Sequence, residues 1–209
     1  MATIGLLGTL HNDEIRKEVN FPLSLMEEKI FQFAPDIICG EIREQDWSQY
    51  KKDKSYKGYL GPDEYRRLII PLCEQAHIKF FPIDFFEEDH VTLDHFAPYS
   101  EEEQGELIFI LSEKYEKMFE ETKTDLIPFN SHQLNRLIED KQEWLRKVNP
   151  DVQQVIWDYR NKVMIDNINK IVKKNKGKRI LVTVGAEHCY IFLKAFHDEG
   201  LKVEFPLLG

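Results

Sequence analysis

Ile180-Leu181-Val182-Thr183-Val184-Gly185-Ala186-Glu187-His188 reads as a buried strand that breaks at a glycine turn and delivers a histidine. Near the other end of the chain, Ile4-Gly5-Leu6-Leu7-Gly8-Thr9-Leu10-His11 repeats the phrase. Short apolar runs bounded by turn residues are the mark of strands buried on both faces. In an open parallel sheet, ligands bind outside the carboxyl ends of the strands. Two such turns can therefore carry His11 and His188 to one site, although almost the whole chain separates them.

Outward from these turns, strands and helices alternate. Leu23, Met26, Ile30 and Phe33 recur at helical spacing, with Pro22 before them and Pro35 after. Asp36-Ile37-Ile38-Cys39-Gly40 is a second strand ending at Glu41, and Ile78-Lys79-Phe80-Phe81-Pro82-Ile83 a third ending at Asp84. Between them, residues 46–61 are polar and read as an exposed loop; Tyr65, Leu68, Ile69, Leu72 and Ala76 mark a helix. Two helices occupy residues 101–148, a further long one begins at Asp151, and a last strand is expected near 202–206. The expectation is one α/β domain over 1–209, with a mostly parallel sheet and helices on both faces. Residues 101–148 form a helical insertion or cap before the C-terminal βαβ part.

Four strands thus end on a functional group: His11, Glu41, Asp84 and His188. If the strands are parallel, all four collect at one edge. Histidine with carboxylate suits general acid–base chemistry. The trio His11, Glu41 and His188 also suits a divalent ion such as Mn, Co or Zn, which would lower the pKa of a bound water. The bland alternatives are a satisfied structural histidine and, for Asp84, a helix N-cap.

The helix from Asp151 adds a separate clue. At 100° per residue, Ile156, Arg160, Val163, Met164, Asn167 and Ile171 share a face. That face is apolar apart from Arg160 and Asn167, and a buried arginine needs an anion or carbonyls around it. Arg160 either pairs structurally with Glu41 or Asp84, or holds a substrate oxyanion; both put it at the site. Other candidates are weaker. Cys189 reads as packing rather than as a nucleophile. His90 and His95 sit in an acidic stretch that suits a solvated loop better than a cation site.

Composition narrows the classes. The 209 residues carry a net charge of −9, which argues against a general nucleic-acid binder. Three cysteines, Cys39, Cys73 and Cys189, make no disulfide framework. No window approaches the ~20 apolar residues of a membrane helix, and no basic leader precedes the first strand. The expected protein is cytoplasmic, with neither membrane nor nucleic acid as partner.

Together these residues resemble the superfamily that joins the pheromone-shutdown TraB proteins, the Tiki Wnt-inactivating proteases, the erythromycin esterase-like proteins and the ChaN-type haem-binding lipoproteins. The resemblance rests on Gly8-Thr9-Leu10-His11 and on Glu41 closing "PDIICGE". It rests also on "RNKVMIDN", with Arg160, Asn161, Met164 and Asn167, and on "VTVGAEH" ending in His188. It implies a fold built from a duplicated half, with paired Glu and His at the sheet edge. The Tiki-like branch is described as metal-dependent peptidases, and the esterase-like branch activates water with His and Glu without an obligatory metal. The chain departs from all these branches: it is short, shows neither the membrane segment frequent in TraB proteins nor the lipoprotein signal of the haem binders, and carries two central helices that are not part of the resemblance.

The expectation that follows is a hydrolase of an ester or amide in a small-molecule or peptide substrate. Its catalytic residues would be Glu41, His11, His188 and Arg160, with Asp84, Asn161 and Asn167 on the substrate. The alternative is a non-catalytic protein that holds a small ligand, a metal or haem in the same pocket.

Overall fold

The computed structural model describes residues 2–123 and 125–204. In chain order these form β1 (Thr3–Thr9), α1 (Asp13–Glu18), α2 (Leu23–Phe33), β2 (Ile37–Arg43), α3 (Glu44–Lys52), α4 (Ile70–Gln75) and β3 (Lys79–Asp84). There follow α5 (Glu101–Thr122), α6 (His132–Val148), α7 (Pro150–Gln153), α8 (Arg160–Lys174), β4 (Arg179–Gly185), α9 (Cys189–Asp198) and β5 (Lys202–Glu204). Residues 205 and 206, expected to continue the last strand, lie outside the described residues.

The five strands lie in the order β3-β2-β4-β1-β5, and every pairing is parallel. The chain leaves β1 toward β2, and leaves β4 toward β5 on the other side. Adjacent strands whose connections depart in opposite directions open a crevice at their carboxyl ends. Thr9 pairs with Gly185 in register, so the two glycine–histidine turns emerge side by side over that crevice.

Alternation along the strands feeds two cores. Leu7, Ile38, Ile42 and Leu181 face Met26, Ile30 and Phe33 of α2 and Tyr65, Ile69 and Leu72 near α4. Ile4, Leu6, Ile180 and Val182 face Met164, Ile168 and Val172 of α8 and Phe192 and Phe196 of α9. At about 1.5–3 kcal/mol for each large apolar side chain removed from water, both faces hold the sheet edge rigid. Helices therefore cover both faces, as the alternating pattern requires.

The cap closes over the crevice. Ser100 and Glu103 form a reciprocal capping box that starts α5, and Ser131 caps α6 by accepting from Leu134 N at 3.1 Å. Met118, Phe129, Leu134 and Ile138 then pack on Ala186 of the second turn. Asn130 ties the cap to the first turn. Its amide oxygen accepts from Gly8 N at 2.7 Å and its amide nitrogen donates to Gly8 O at 3.0 Å. This replaces strand pairing that β5, matched to β1 only from Thr3 to Gly5, does not reach.

Two expectations need correction. The stretch 46–61 is not wholly an exposed loop, because α3 occupies its first part. One apolar anchor suffices: Trp47 is buried with its ring 4.7 Å from that of Phe80, while Asp46 accepts from Arg43 Nε at 2.6 Å and Tyr56 OH at 2.7 Å. The second correction concerns the helix from Asp151. A π turn at Gln154–Tyr159 takes Ile156 out of phase with the helix that follows, and within α8 the buried stripe is Asn161, Met164, Ile168 and Val172. Arg160 and Asn167 lie on its flank.

Candidate active site

Glu41 stands near the carboxyl end of β2, just past the last pair of β2 with β4 at Gly40, with 1% of its surface exposed. Its position is fixed from both ends. The Glu41 amide donates to Tyr65 OH at 2.8 Å, and that hydroxyl donates to Thr183 O at 2.7 Å on β4. The carboxylate accepts from Gly185 N through Oε2 and from Arg160 Nη2 through Oε1, the latter at 3.2 Å. Burial raises the Glu41 carboxyl above its ordinary range, against the pull of His11 and Arg160.

The two histidines flank this carboxylate. His11 Nε2 lies 3.5 Å from Oε2, and His188 Nε2 lies 3.4 Å from Oε1. Their other ring nitrogens differ. His11 Nδ1 sits 2.8 Å from Oε1 of Glu64, a carboxylate with no exposed surface. Burial draws the His11 imidazolium down, but the Glu64 hydrogen bond and the Glu41 and Glu64 charges outweigh it and hold the pKa above 6.5. His188 Nδ1 lies 2.6 Å from Asn161 Oδ1. The Asn161 amide nitrogen donates to Trp157 O at 2.8 Å, which turns Oδ1 toward the histidine and makes Nδ1 the protonated nitrogen. Trp157 stacks on the His188 ring at 4.4 Å between centroids. Burial, with Arg160 beside it, pushes His188 well below its ordinary pKa. His188 is thus a neutral imidazole whose Nε2 lone pair faces Glu41.

Arg160 links the third carboxylate. Nε and Nη2 donate to the two Asp84 oxygens at 2.8 and 3.0 Å, a bidentate fork. Among the described residues, Nη1 has no bonded partner. The Arg160 side chain is 24% exposed and lines the cavity.

A cavity of about 410 Å³ opens over these groups. His11, Glu41, Arg160 and His188 form its floor, and Tyr115, Met118, Phe119 and Phe129 bring the cap down as its roof. The cap is also clamped to the motif residue beside His188. Glu187 accepts from Lys141 Nζ, from Gln142 Nε2 at 3.0 Å and from Tyr115 OH at 3.2 Å. The Lys141 side chain, 1% exposed, shows how tightly this clamp is packed.

The glycines of the two turns serve close approach. Neither Gly8 nor Gly185 has a positive φ among the described residues. A Cβ at Gly185 would lie 2.6 Å from His11 Nε2, and one at Gly8 would lie 2.9 Å from Ala186 Cα. The room they leave is occupied by the opposite turn.

His11, Glu41, His188 and Arg160 therefore meet, and Asp84 stands behind Arg160. Asp84, Asn161 and Asn167 do not line the cavity. Asp84 holds Arg160, Asn161 holds His188, and Asn167 donates to Ile83 O at 3.2 Å, tying α8 to β3. Their contacts are with positioning partners. Cys189 is fully buried, and burial drives its thiol far up. Tyr59, in the stretch read as a loop, lines the cavity, whereas Trp47 is core.

Sequence reasoning missed Glu64 and Arg16. Arg16 is 2% exposed and donates from Nη1 to Leu10 O at 2.5 Å and to Glu64 Oε2 at 3.4 Å. Its Nη2 reaches Asp13 at 2.6 Å and Asp63 at 3.2 Å. Arg16 thereby anchors both the loop that carries His11 and the carboxylate that orients it. One signal was present: Glu64 lies four residues before Leu68 on the apolar face of its helix.

As placed, His11 and His188 approach different oxygens of Glu41, and the three residues do not bring one ligand atom each within 4.8 Å of the others. Tetrahedral ligands at about 2.0–2.2 Å from an ion lie within about 3.5 Å of one another. Among the described residues, the only His, Cys, Asp and Glu trio with ligand atoms all within 4.8 Å is Glu87, Asp89 and His90, at the surface. The Glu41 oxygens instead face Arg160, Gly185 N and one imidazole each.

Among the described residues, no helix is long and apolar enough to cross a membrane. No family model, no curated protein and no solved structure matches the chain.

Proposed function

We propose that the protein is a hydrolase that cleaves an ester or amide with water activated by His11, without a metal ion. The observation that carries this reading is the His11 ring. Its Nδ1 is held by the buried Glu64, and its Nε2, on a side chain 42% exposed, faces the cavity beside Glu41. An imidazole fixed at one nitrogen by a buried carboxylate, with a half-exposed ring lining the cavity, is the arrangement of a general base.

The step runs as follows. His11 Nε2 takes a proton from water, and the water oxygen bonds to the acyl carbon. The carbonyl electron pair moves to oxygen, where Arg160 Nη1 donates to it. When the tetrahedral species collapses, that pair re-forms the carbonyl and the bond to the leaving oxygen or nitrogen breaks. His11 returns its proton to the leaving atom. Glu41 stabilises the imidazolium that forms in between, and Gly185 N and Arg160 Nη2 fix the Glu41 carboxylate. The resemblance that this reading favours is to the esterase-like branch, whose His and Glu need no obligatory metal.

The test is hydrolysis of a panel of aryl esters and amides by wild type, His11→Ala and Glu41→Ala, with folding checked by circular dichroism. Loss in both folded variants supports the reading; unchanged turnover in either sinks it. A second reading, ligand binding without turnover, draws on the apolar roof of Met118, Phe119 and Phe129. It predicts that small apolar molecules bind wild type with no product formed, and a haem ligand would add a Soret band.

A further inference from the structure

A second cavity of about 500 Å³ adjoins the first, lined by Tyr59, Phe86, Leu93, Ile156, Trp157 and Arg160, with His90 and Val155 completing it. Tyr59, Trp157 and Arg160 line both cavities, so the two meet at the Arg160 guanidinium. Apart from Arg160 and His90, the second cavity is walled by aromatic and aliphatic side chains. Leu93 is 40% exposed at its rim, an apolar surface left open toward solvent.

We propose that this second cavity is the subsite for an uncharged apolar acyl arm of the substrate, a medium-length alkyl or aryl chain. The inference rests on the hydrolase reading above and deepens it. Proton bookkeeping assigns the arms. The leaving oxygen or nitrogen must receive a proton, and the donor placed for that, His11, lines only the first cavity. The leaving group therefore lies there. The acyl arm needs no proton, and it extends past Arg160 in the other direction. With the carbonyl oxygen on Arg160 Nη1, the scissile bond sits where the two cavities join.

Two probe series test this. The first is the para-nitrophenyl esters of acetic, hexanoic and decanoic acids, which share one leaving group. The second is the methyl, pentyl and nonyl trifluoromethyl ketones, whose hydrates imitate the tetrahedral species, followed by fluorine NMR. Each is measured on wild type, Ile156→Trp and Leu93→Trp. Leu93 is exposed, so its substitution fills the cavity from outside and leaves the core alone.

Ketone affinity is expected to rise at least about tenfold from the methyl to the nonyl arm in wild type. Either tryptophan should cancel that gain and leave methyl binding unchanged. Affinity independent of arm length, or insensitive to both substitutions, would overturn the subsite. If ketones bind with arm dependence and no ester turns over, the subsite stands and the hydrolase reading falls. If esters turn over with no dependence on the acyl arm, the hydrolase stands and the subsite falls.

Discussion

His11 and His188 end the same short phrase of sequence and face the same carboxylate, yet the fold makes them opposite imidazoles. His11 is 42% exposed, with a carboxylate on Nδ1 and a raised pKa; the His188 side chain is 5% exposed, with an amide oxygen on Nδ1 and a pKa driven down. The turn brings each ring to Glu41. What each ring then does is decided by the residue on its far nitrogen, Glu64 or Asn161, which comes from a different element. A repeated motif here fixes position and leaves chemistry to the surroundings.

Deleting the two rings should break the symmetry most plainly. His11→Ala is expected to lower hydrolysis by about 10²–10⁴-fold, the range of general base catalysis, and to cost stability as well, because buried Glu64 Oε1 loses its 2.8 Å partner. His188→Ala should cost about 1–3 kcal/mol, since Asn161 Oδ1 is left buried and unpaired. Ester turnover and thermal melts on the two variants check this pair.

Exchanging the far partners should move the pKa values toward each other. The base must be neutral to act, so the wild-type rate should rise with pH through a limb above 6.5. Glu64→Gln removes a charge and a hydrogen bond that favour the imidazolium, and should shift that limb to lower pH. Asn161→Asp places a carboxylate on His188 Nδ1 and should raise its pKa. The rate–pH profile reads the first change and histidine NMR titration the second.

The glycines sharpen the comparison further. Gly185→Ala sets a methyl against His11 Nε2, a movable ring, and should reduce turnover about tenfold or more while costing little stability. Gly8→Ala sets a methyl against the Ala186 backbone, and should cost about 1–3 kcal/mol of stability by overpacking. Activity and melting temperature should therefore separate for the two. The smallest expected effect belongs to metal removal: dialysis against a chelator should leave turnover unchanged, and elemental analysis should find no stoichiometric metal. Activity lost to the chelator and restored by Mn, Co or Zn would contradict the metal-free site.

Much of the arrangement was readable because strands buried on both faces announce themselves as apolar runs, and their ends name the residues at the edge. His11, Glu41, Asp84 and His188 follow from that rule alone once the sheet is parallel. Arg160 was legible as a charge beside an apolar stripe, although the buried stripe of α8 runs through Asn161, Met164, Ile168 and Val172, one position on from Arg160. Glu64 was legible only as a carboxylate four residues before Leu68, and Arg16 not at all. They sit in polar surroundings after no strand, and only tertiary folding closes Arg16 over Asp63 and Glu64. The helix α3 was hidden for a similar reason, because Trp47 supplies its one buried apolar anchor among charged neighbours.

The most direct test of the central claim is a titration of His11 and His188 by two-dimensional nitrogen-15 NMR, with His11→Ala and His188→Ala as assignments. The account predicts that His11 titrates above 6.5, while His188 stays neutral with its proton on Nδ1 after His11 has become charged. Two rings that titrate together near 6.5, or a His188 protonated on Nε2, would contradict it.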